Sequence, residues 1–287
     1  MLQPIRHFLL AIQFFTRIPV TGRVAQWVGF SPAMLRASAG HFPGVGVVVG
    51  ALVVGFTAVL LAWLPASPLT PLVAAVLGTV LSVMVTGAFH EDGLADVADG
   101  LGGSSDRDRA LVIMKDSRVG AFGVLAVVLA LLSKVALLAL IGSVSPRWML
   151  LGIFAAHVVS RTWPLLLIRL IPHVGDAAGS KSKPLADQIS TGSLLAAGIW
   201  CFMALAPVGI AFIAIHSGVN RGWSLAEPSL LLVLLLPLVG GLLASSVGFV
   251  YMGRLLWRRL QGFTGDGLGA TQQVCEIAFY LGLALAL

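Results

Sequence analysis

Carboxylates are scarce in this 287-residue sequence, and more than half of them fall in one short segment. Seven of the 12 acidic residues lie between 91 and 116, namely Glu91, Asp92, Asp96, Asp99, Asp106, Asp108 and Asp116. At about 100° per residue, Asp92, Asp96 and Asp99 project within roughly 60° of one another on a helix, whereas Glu91 points about 100° away from Asp92. Carboxylates that share a face repel one another, and a hard divalent cation relieves that repulsion. The segment therefore predicts a site for Mg²⁺, Mn²⁺ or Ca²⁺.

An ordinary acidic helix end that solvates a membrane boundary is the alternative interpretation of this segment. A solvated end would mix both signs of charge, but residues 91–103 contain no basic residue. The metal site is therefore the favoured interpretation.

Basic residues follow the acids directly, at Arg107, Arg109, Lys115 and Arg118. We expect Ser105 to cap an amphipathic helix that runs from Asp106 to about Arg118. Lys115 and Arg118 are candidates for binding phosphate oxygens. The two arginines that precede them are at least as well suited to pairing with neighbouring aspartates or lipid headgroups.

Further polar residues lie outside this segment. Asp266 stands just before a run that contains Gln272 and Glu276, and it is either a substrate ligand or a helix N-cap. Lys134 and Arg161 interrupt apolar runs, where an ionisable residue is functional by default or forms a structural pair. His90 adjoins the acids and is the histidine most suited to contact a substrate.

The elements that must position these residues are membrane helices. The chain is 58% hydrophobic and 10% charged, with a mean hydropathy of +0.98, whereas a soluble surface needs about a quarter of its residues charged. Apolar runs of spanning length predict seven transmembrane helices, at about 41–64, 69–90, 120–142, 148–168, 192–216, 229–253 and 267–287. Residues 5–20 are expected to form an interfacial or re-entrant helix. The fold class is therefore an all-α, polytopic membrane protein, with one membrane-embedded domain over 1–287.

The basic residues indicate how this protein is oriented in the membrane. In the seven-span model, 14 of the 18 lie before the first span or in the loops at 91–119, 169–191 and 254–266, all on one side. The opposite loops hold only Arg147 and Arg221. This asymmetry predicts a cytoplasmic N-terminus and explains the net charge of +6 without nucleic acid. Cys201 and Cys275 lie in apolar runs, so that we expect neither a disulfide framework nor a cysteine zinc site.

The run His90-Glu91-Asp92-Gly93-Leu94-Ala95-Asp96-Val97-Ala98-Asp99-Gly100 resembles the signature of the adenosylcobinamide-GDP ribazoletransferase (cobalamin synthase) family. Three further stretches resemble motifs of that family, at Phe14–Pro19, Met114–Gly120 and Gly262–Asp266. The resemblance covers nearly the whole chain, although residues from about 170 to 225 carry little of it.

The resemblance implies that a hydroxyl of α-ribazole, or of its 5′-phosphate, attacks the diphosphate of adenosylcobinamide-GDP and releases GMP. It implies Mg²⁺ as cofactor, a bacterial or archaeal cytoplasmic membrane, and an active site that faces the cytoplasm. It leaves open a homo-oligomer and contacts with other membrane-associated enzymes of cobalamin assembly. On this resemblance, the expected catalytic residues are Asp92, Asp96, Asp99 and Asp116. The expected metal ligands are Glu91, Asp92, Asp96 and Asp99. The expected substrate-binding residues are His90, Lys115, Arg118 and Asp266.

Three other classes of membrane protein remain as alternatives. A CDP-alcohol phosphotransferase would need an arginine where Asp96 follows Ala95, and a prenyltransferase would need a second acidic helix, which the isolated Asp176 and Asp187 do not supply. A cation-coupled transporter would place its carboxylates near the bilayer midplane and would show internal repeats. Release of GMP would distinguish a ribazoletransferase from a transporter.

Overall fold

The computed structural model describes residues 2–175, 189–216 and 228–287, and α-helices dominate them. The helices are α1 Gln3–Phe15, α2 Gly22–Val28, α3 Pro32–Ser38, α4 Phe42–Trp63, α5 Thr70–Thr86, α6 Phe89–Gly103, α7 Arg107–Ile113, α8 Ala121–Val144, α9 Pro146–Ser160, α10 Trp163–Leu170, α11 Thr191–His216, α12 Pro228–Leu260 and α13 Gly265–Leu285. Within these ranges no β-strand forms. Asp176, Asp187 and Arg221, together with Lys181 and Lys183 of the basic loop at 169–191, lie outside the described residues.

The all-α membrane fold is confirmed, but fewer spans than predicted meet the requirements of length and composition. Within the described residues these are Pro32–Trp63, Ala121–Val144, Pro146–Leu170 and Leu235–Leu260, with α5 and α6 together as a fifth, bent candidate. α11 contributes a shorter apolar helix over Thr191–Pro207. α13 is not among the candidates, because the polar residues in its first half lower its hydropathy.

The predicted span at 69–90 ends earlier, because the chain turns sharply after α5. Gly87 and Ala88 both adopt left-handed backbone angles, with φ of 67° and 58°. The axes of α5 and α6 consequently differ by 89°. Since a helix that carries four carboxylates does not continue a lipid-exposed span, we treat α6 as lying outside the membrane-spanning segments.

The N-terminal segment forms the separate helix that the sequence predicts. α1 has Pro4 in its first turn and ends at Phe15, after which the Thr16 hydroxyl donates a 2.7 Å hydrogen bond to the Ile12 carbonyl. One face of α1 is buried against α3 and α4. α1 therefore brings the end of its motif, from Phe14 to Arg17, onto the bundle.

α13 is the helix around which the described bundle is organised. It packs against α6, α8, α9 and α12. Glycines allow close approach at both of its ends: a Cβ on Gly93 would lie 2.7 Å from the carbonyl oxygen of Asp266, and one on Gly240 would lie 2.6 Å from that of Gly282. This packing fixes the start of α13 beside α6.

The amphipathic helix after the acids is shorter than predicted, and Ser105 does not cap it. The Asp106 carboxylate accepts a 2.8 Å hydrogen bond from the Arg109 backbone N–H, so that Asp106 is the N-cap of α7. The helix ends at Ile113 instead of near Arg118. An aspartate is as good a cap as a serine, and this one lies at the position that the backbone requires.

Candidate functional site

A cavity of about 710 Å³ opens where α1, α5, α6 and α13 meet. It has three charged lining residues: Arg17, Asp92 and Asp266. The remaining lining residues are Gln13, Phe14, Thr16, Thr86, Gly87, Phe89 and Gly265. Its volume lies within the range of about 300–1,000 Å³ that is typical of small-molecule sites.

Asp92, Asp96 and Asp266 form the acidic group of this site; Asp92 and Asp266 line the cavity, whereas Asp96 lies on α6 outside the lining. Asp92 is exposed on the first turn of α6, and Asp96 is half-buried one turn later. Burial, followed by the nearby charges of Asp266, Asp92 and Asp99, raises the pKa of Asp96 to about 7. Burial is also the main cause that raises the pKa of Asp266. For both groups, the negative charge of neighbouring aspartates raises the pKa further than burial alone.

Asp266 is not the N-cap of α13, because Thr264 has that role. The Thr264 hydroxyl oxygen accepts a 3.1 Å hydrogen bond from the Gly267 backbone N–H. The sequence left Asp266 open as a substrate ligand or a cap; the structure assigns the cap to Thr264 and places Asp266 among the residues that line the cavity.

Asp99 shares the helix face of Asp92 and Asp96, but it contacts a different helix. Its two oxygens accept backbone hydrogen bonds from Gly120 and Gly123, each of 2.7 Å. It is 8% exposed and caps the start of α8 from outside that helix. Its negative charge is favourable there, because the first N–H groups of a helix lack partners.

Glu91 and His90 are also turned away from the cavity. Glu91 is 7% exposed, and its Oε1 accepts a 3.0 Å hydrogen bond from Gln273 Nε2 on α13. His90 is 1% exposed, and its ring stacks on Phe42 with centroids 5.8 Å apart. Neither residue lies in the lining described above, so His90 is not placed to contact a substrate in that cavity.

The four predicted metal ligands therefore do not converge on one point. Within the described ranges, no three His, Cys, Asp or Glu side chains come together to hold a metal ion. Asp92 and Asp96 remain on one face, joined by Asp266, whereas Glu91 and Asp99 bind other helices. One or two carboxylates are enough for Mg²⁺, which commonly takes its remaining oxygen ligands from water and substrate phosphates.

The loop between α7 and α8 holds the predicted residues Lys115, Asp116 and Arg118. Arg118 and Asp116 form an ion pair of 2.6 Å, and its hydrogen bonds lower the pKa of Asp116 to about 2. A carboxylate with that pKa is a weak base, which disfavours Asp116 as the group that takes a proton. Lys115 is exposed, and none of the three residues lines the cavity.

Arg17 is the residue of this site that the sequence analysis missed. It is the one basic residue in the described cavity lining, and its side chain packs on Gly87, where a Cβ would overlap the guanidinium group. Its backbone N–H donates a 2.7 Å hydrogen bond to the Val85 carbonyl. The residue lies 75 positions before Asp92, and the only signal in the sequence was its place within the Phe14–Pro19 motif.

Lys134 forms the structural pair that the sequence left open. Its Nζ lies 2.6 Å from Glu276 Oε1, and both side chains are at most 2% exposed. Arg161 is 1% exposed, and it donates hydrogen bonds of 2.9 Å to the Nδ1 and the carbonyl oxygen of His157. These ionisable groups lie in the bundle interior, away from the cavity.

The comparisons with known proteins agree with one another over almost the whole chain. The family model for cobalamin-5-phosphate synthases matches residues 7–284. An adenosylcobinamide-GDP ribazoletransferase of Albidiferax ferrireducens is 68% identical, over 100% of both chains. Proteins with the same name from a Polaromonas species and from Leptothrix cholodnii are 58% and 41% identical, over 99% and 96% of this chain and 98% and 94% of theirs. No solved structure matches. The chain belongs to the cobalamin-5-phosphate synthase family.

Proposed function

We propose that this protein joins adenosylcobinamide-GDP and α-ribazole, or α-ribazole 5′-phosphate, to give adenosylcobalamin or its 5′-phosphate together with GMP. The relatives are named for that transfer. The observation that carries the proposal is the cavity in which Arg17 lies together with Asp92 and Asp266. A diphosphate with an incoming hydroxyl needs such a combination of cationic and acidic groups.

The size of the cavity indicates that only part of the large substrate would lie inside it. About 710 Å³ accommodates a nucleotide-sized group but not a corrin ring as well. The diphosphate and the reacting ribazole hydroxyl would lie inside, and the corrin ring would stay outside the opening. Phe14 and Phe89, which line the cavity, offer apolar surface to a base.

The residues of the chain have separate roles in the proposed step. The Arg17 guanidinium donates hydrogen bonds to non-bridging phosphate oxygens and holds the cobinamide-side phosphorus in place. One carboxylate of the group Asp92, Asp96 and Asp266 accepts the proton of the attacking ribazole hydroxyl. The new bond joins the ribazole oxygen to that phosphorus, and the bond to the GMP oxygen breaks.

Mg²⁺ is the cofactor that this acidic group fits best. Asp92 and Asp266, which line the cavity, would hold it together with water and substrate oxygens, because Mg²⁺ needs only one or two carboxylates. When bound, the ion neutralises charge on the diphosphate and on the departing GMP.

The proposal includes a location and an orientation. A single membrane-embedded domain in the cytoplasmic membrane would face its cavity to the cytoplasm, as the basic loops predict. That side would also supply its nucleotide substrate. A homo-oligomer and association with other membrane-bound enzymes of the same assembly remain predictions.

The test is turnover by the purified protein in lipid vesicles. We expect GMP release from adenosylcobinamide-GDP only when α-ribazole and Mg²⁺ are both present, with the cobalamin identified by its mass. Asp92→Asn and Asp266→Asn are expected to abolish release, whereas Arg118→Gln, outside the cavity, should keep it within about threefold. Absence of product from the wild-type protein, or full activity in both aspartate variants, would refute the proposal. Ion uptake without turnover would favour the transporter instead.

A further inference from the structure

The bundle interior contains a cluster of polar residues, four on α13 and one on α8, that the proposed reaction does not use. We call it the α13 polar cluster, and its members are Lys134, Gln272, Gln273, Glu276 and Tyr280. Each is between 0 and 2% exposed. Glu276 is its centre: Oε1 forms a 2.6 Å ion pair with Lys134 Nζ and accepts a 3.0 Å hydrogen bond from the Tyr280 hydroxyl, and Oε2 accepts one of 2.8 Å from Gln272 Nε2. Buried polar groups are tolerated when they are paired in this way.

Two glutamine amides connect this cluster to α6. Gln272 Nε2 also donates to Ser160 Oγ on α9 at 2.9 Å. Gln273 Nε2 donates to Gln272 Oε1 at 3.1 Å and to Glu91 Oε1 at 3.0 Å. Glu91 is the residue immediately before Asp92, so the connection ends beside the acidic group of the cavity.

This connection holds α13 at two points along α6. At the first point the backbone of Asp266 lies against Gly93. The second point is the hydrogen bond between Gln273 and Glu91, which lies seven residues further along α13, about 10 Å by helix geometry. Gly269, between these two points, also packs close to His90 and Gly93. The hydrogen bond adds a directional contact to this packing, and it resists rotation of α13 and its shift along α6. The position of the Asp266 carboxylate relative to Asp92 depends on both.

We propose that Glu91 and Gln273 are positioning residues, whose hydrogen bond sets the placement of Asp266 against Asp92 and Asp96. The inference rests on the proposed function, which assigns those three aspartates to the reaction. Glu91 touches neither the cavity nor a substrate in it; it acts through its backbone neighbour Asp92 and through α13. A shift of about 1 Å in a reacting group lowers rates by roughly 10²-fold, so a hydrogen bond at this point is expected to affect kcat.

Glu91→Gln and Gln273→Asn are the variants that test the proposal most directly. The glutamine at 91 keeps an oxygen that accepts from Gln273, so Glu91→Gln should retain kcat within about threefold. Gln273→Asn keeps the amide but is one methylene too short for a 3.0 Å bond, and should lower kcat by about 10-fold to 100-fold while KM changes by less than threefold. Gln273→Met should behave as Gln273→Asn does, and combining it with Glu91→Met should lower kcat no further.

A purely structural role would predict other results. It would lower the thermal midpoint but leave kcat of the surviving folded enzyme unchanged. The proposal is overturned if Gln273→Asn has wild-type kcat. It is also overturned if Glu91→Gln is as inactive as Asp92→Asn, since Glu91 would then act chemically.

Hydrogen exchange provides a measurement that does not depend on turnover. We expect amides at 265–271 in Gln273→Asn to exchange at least 10-fold faster than in the wild type, with those at 275–285 unchanged as an internal control. Unchanged exchange at 265–271 would overturn the positioning role even if the wild-type protein released no GMP. Wild-type turnover with no change in exchange or kcat would refute the inference and leave the proposed function standing.

Discussion

Gly93→Ala is the substitution that most directly tests whether the contact between α6 and α13 governs the reaction. A Cβ at this position would lie 2.7 Å from the Asp266 carbonyl oxygen and 3.1 Å from its Cα. Ordinary contact begins near 3.4 Å, so the shortfall is about 0.7 Å. The obstructing atoms belong to the backbone and cannot rotate away, so the two helices must separate by about that distance.

The Gly93→Ala substitution has two opposing effects on the free energy of unfolding and one effect on activity. Overpacking destabilises by about 1–3 kcal/mol, whereas replacing a helical glycine by alanine contributes about 1 kcal/mol in the opposite direction. The net loss of stability is therefore small, and the folded enzyme should remain measurable. Because a displacement of about 1 Å costs roughly 10²-fold in rate, we expect kcat for GMP release to fall by about 10-fold to 100-fold.

Gly240→Ala is the matched control for this experiment. Its Cβ would lie 2.6 Å from the Gly282 carbonyl oxygen, a backbone clash of the same kind between α12 and α13. Gly282 is 16 residues beyond Asp266, about 24 Å along the helix. This variant should lose stability but keep kcat within about threefold. Wild-type kcat in Gly93→Ala, or an equal loss in both variants, would refute the reasoning.

Other contacts of the structure give further predictions. Arg17→Gln should raise KM for adenosylcobinamide-GDP by about 10-fold with the thermal midpoint unchanged, as measured in initial-rate assays; an unchanged KM would remove Arg17 from the phosphate site. Asp99→Asn retains one acceptor oxygen for two N–H groups, so it should lower the free energy of unfolding, measured by chemical denaturation, by about 1–3 kcal/mol. The Mg²⁺ concentration for half-maximal activity should stay the same. A large rise in that concentration would indicate that Asp99 is a metal ligand after all. Lys134→Met alone should destabilise by about 3–5 kcal/mol, and adding Glu276→Met should recover part of this loss; additive losses in this double-mutant cycle would contradict a coupled pair. In metal-free protein, Asp266→Asn should raise the thermal midpoint by removing like-charge repulsion, and it should reduce the further rise that Mg²⁺ gives the wild type; an undiminished response to Mg²⁺ would exclude Asp266 from the metal site.

Helical periodicity predicted which acids share a face, but not which of them share a site. Asp92, Asp96 and Asp99 do lie on one helix, as their spacing indicates. Asp99 nevertheless binds the first N–H groups of α8, because that helix begins beside it in the folded chain. No pattern within α6 specifies where α8 begins in space, so the separation of Asp99 from the other two could not be read from the sequence.

The residues that complete the cavity come from distant parts of the chain. Arg17 reaches it because α1 ends against α5, and because the left-handed Gly87 leaves room for the arginine side chain. The sequence has a glycine near the end of this apolar run, but the predicted span at 69–90 continued past it. The sequence does not predict an 89° turn, since Ala88 also adopts a left-handed conformation that alanine rarely takes.

The polar residues of α13 form two groups that differ in charge balance. The buried group pairs one cation with one anion, Lys134 with Glu276, and the Gln272 amide and the Tyr280 hydroxyl donate hydrogen bonds to the Glu276 carboxylate. A paired group of this kind can remain in the interior without a ligand. At the start of the same helix, Asp266 meets Asp92 and Asp96 with Arg17 as the one cation in the described lining, so carboxylates outnumber cations. Placed at a cavity, such an imbalance is relieved when a divalent cation binds, and a bound cation in turn attracts a diphosphate. The interior group can therefore hold α13 in place without a ligand, whereas the proposed Mg²⁺ and diphosphate would balance the charge of the group at the cavity.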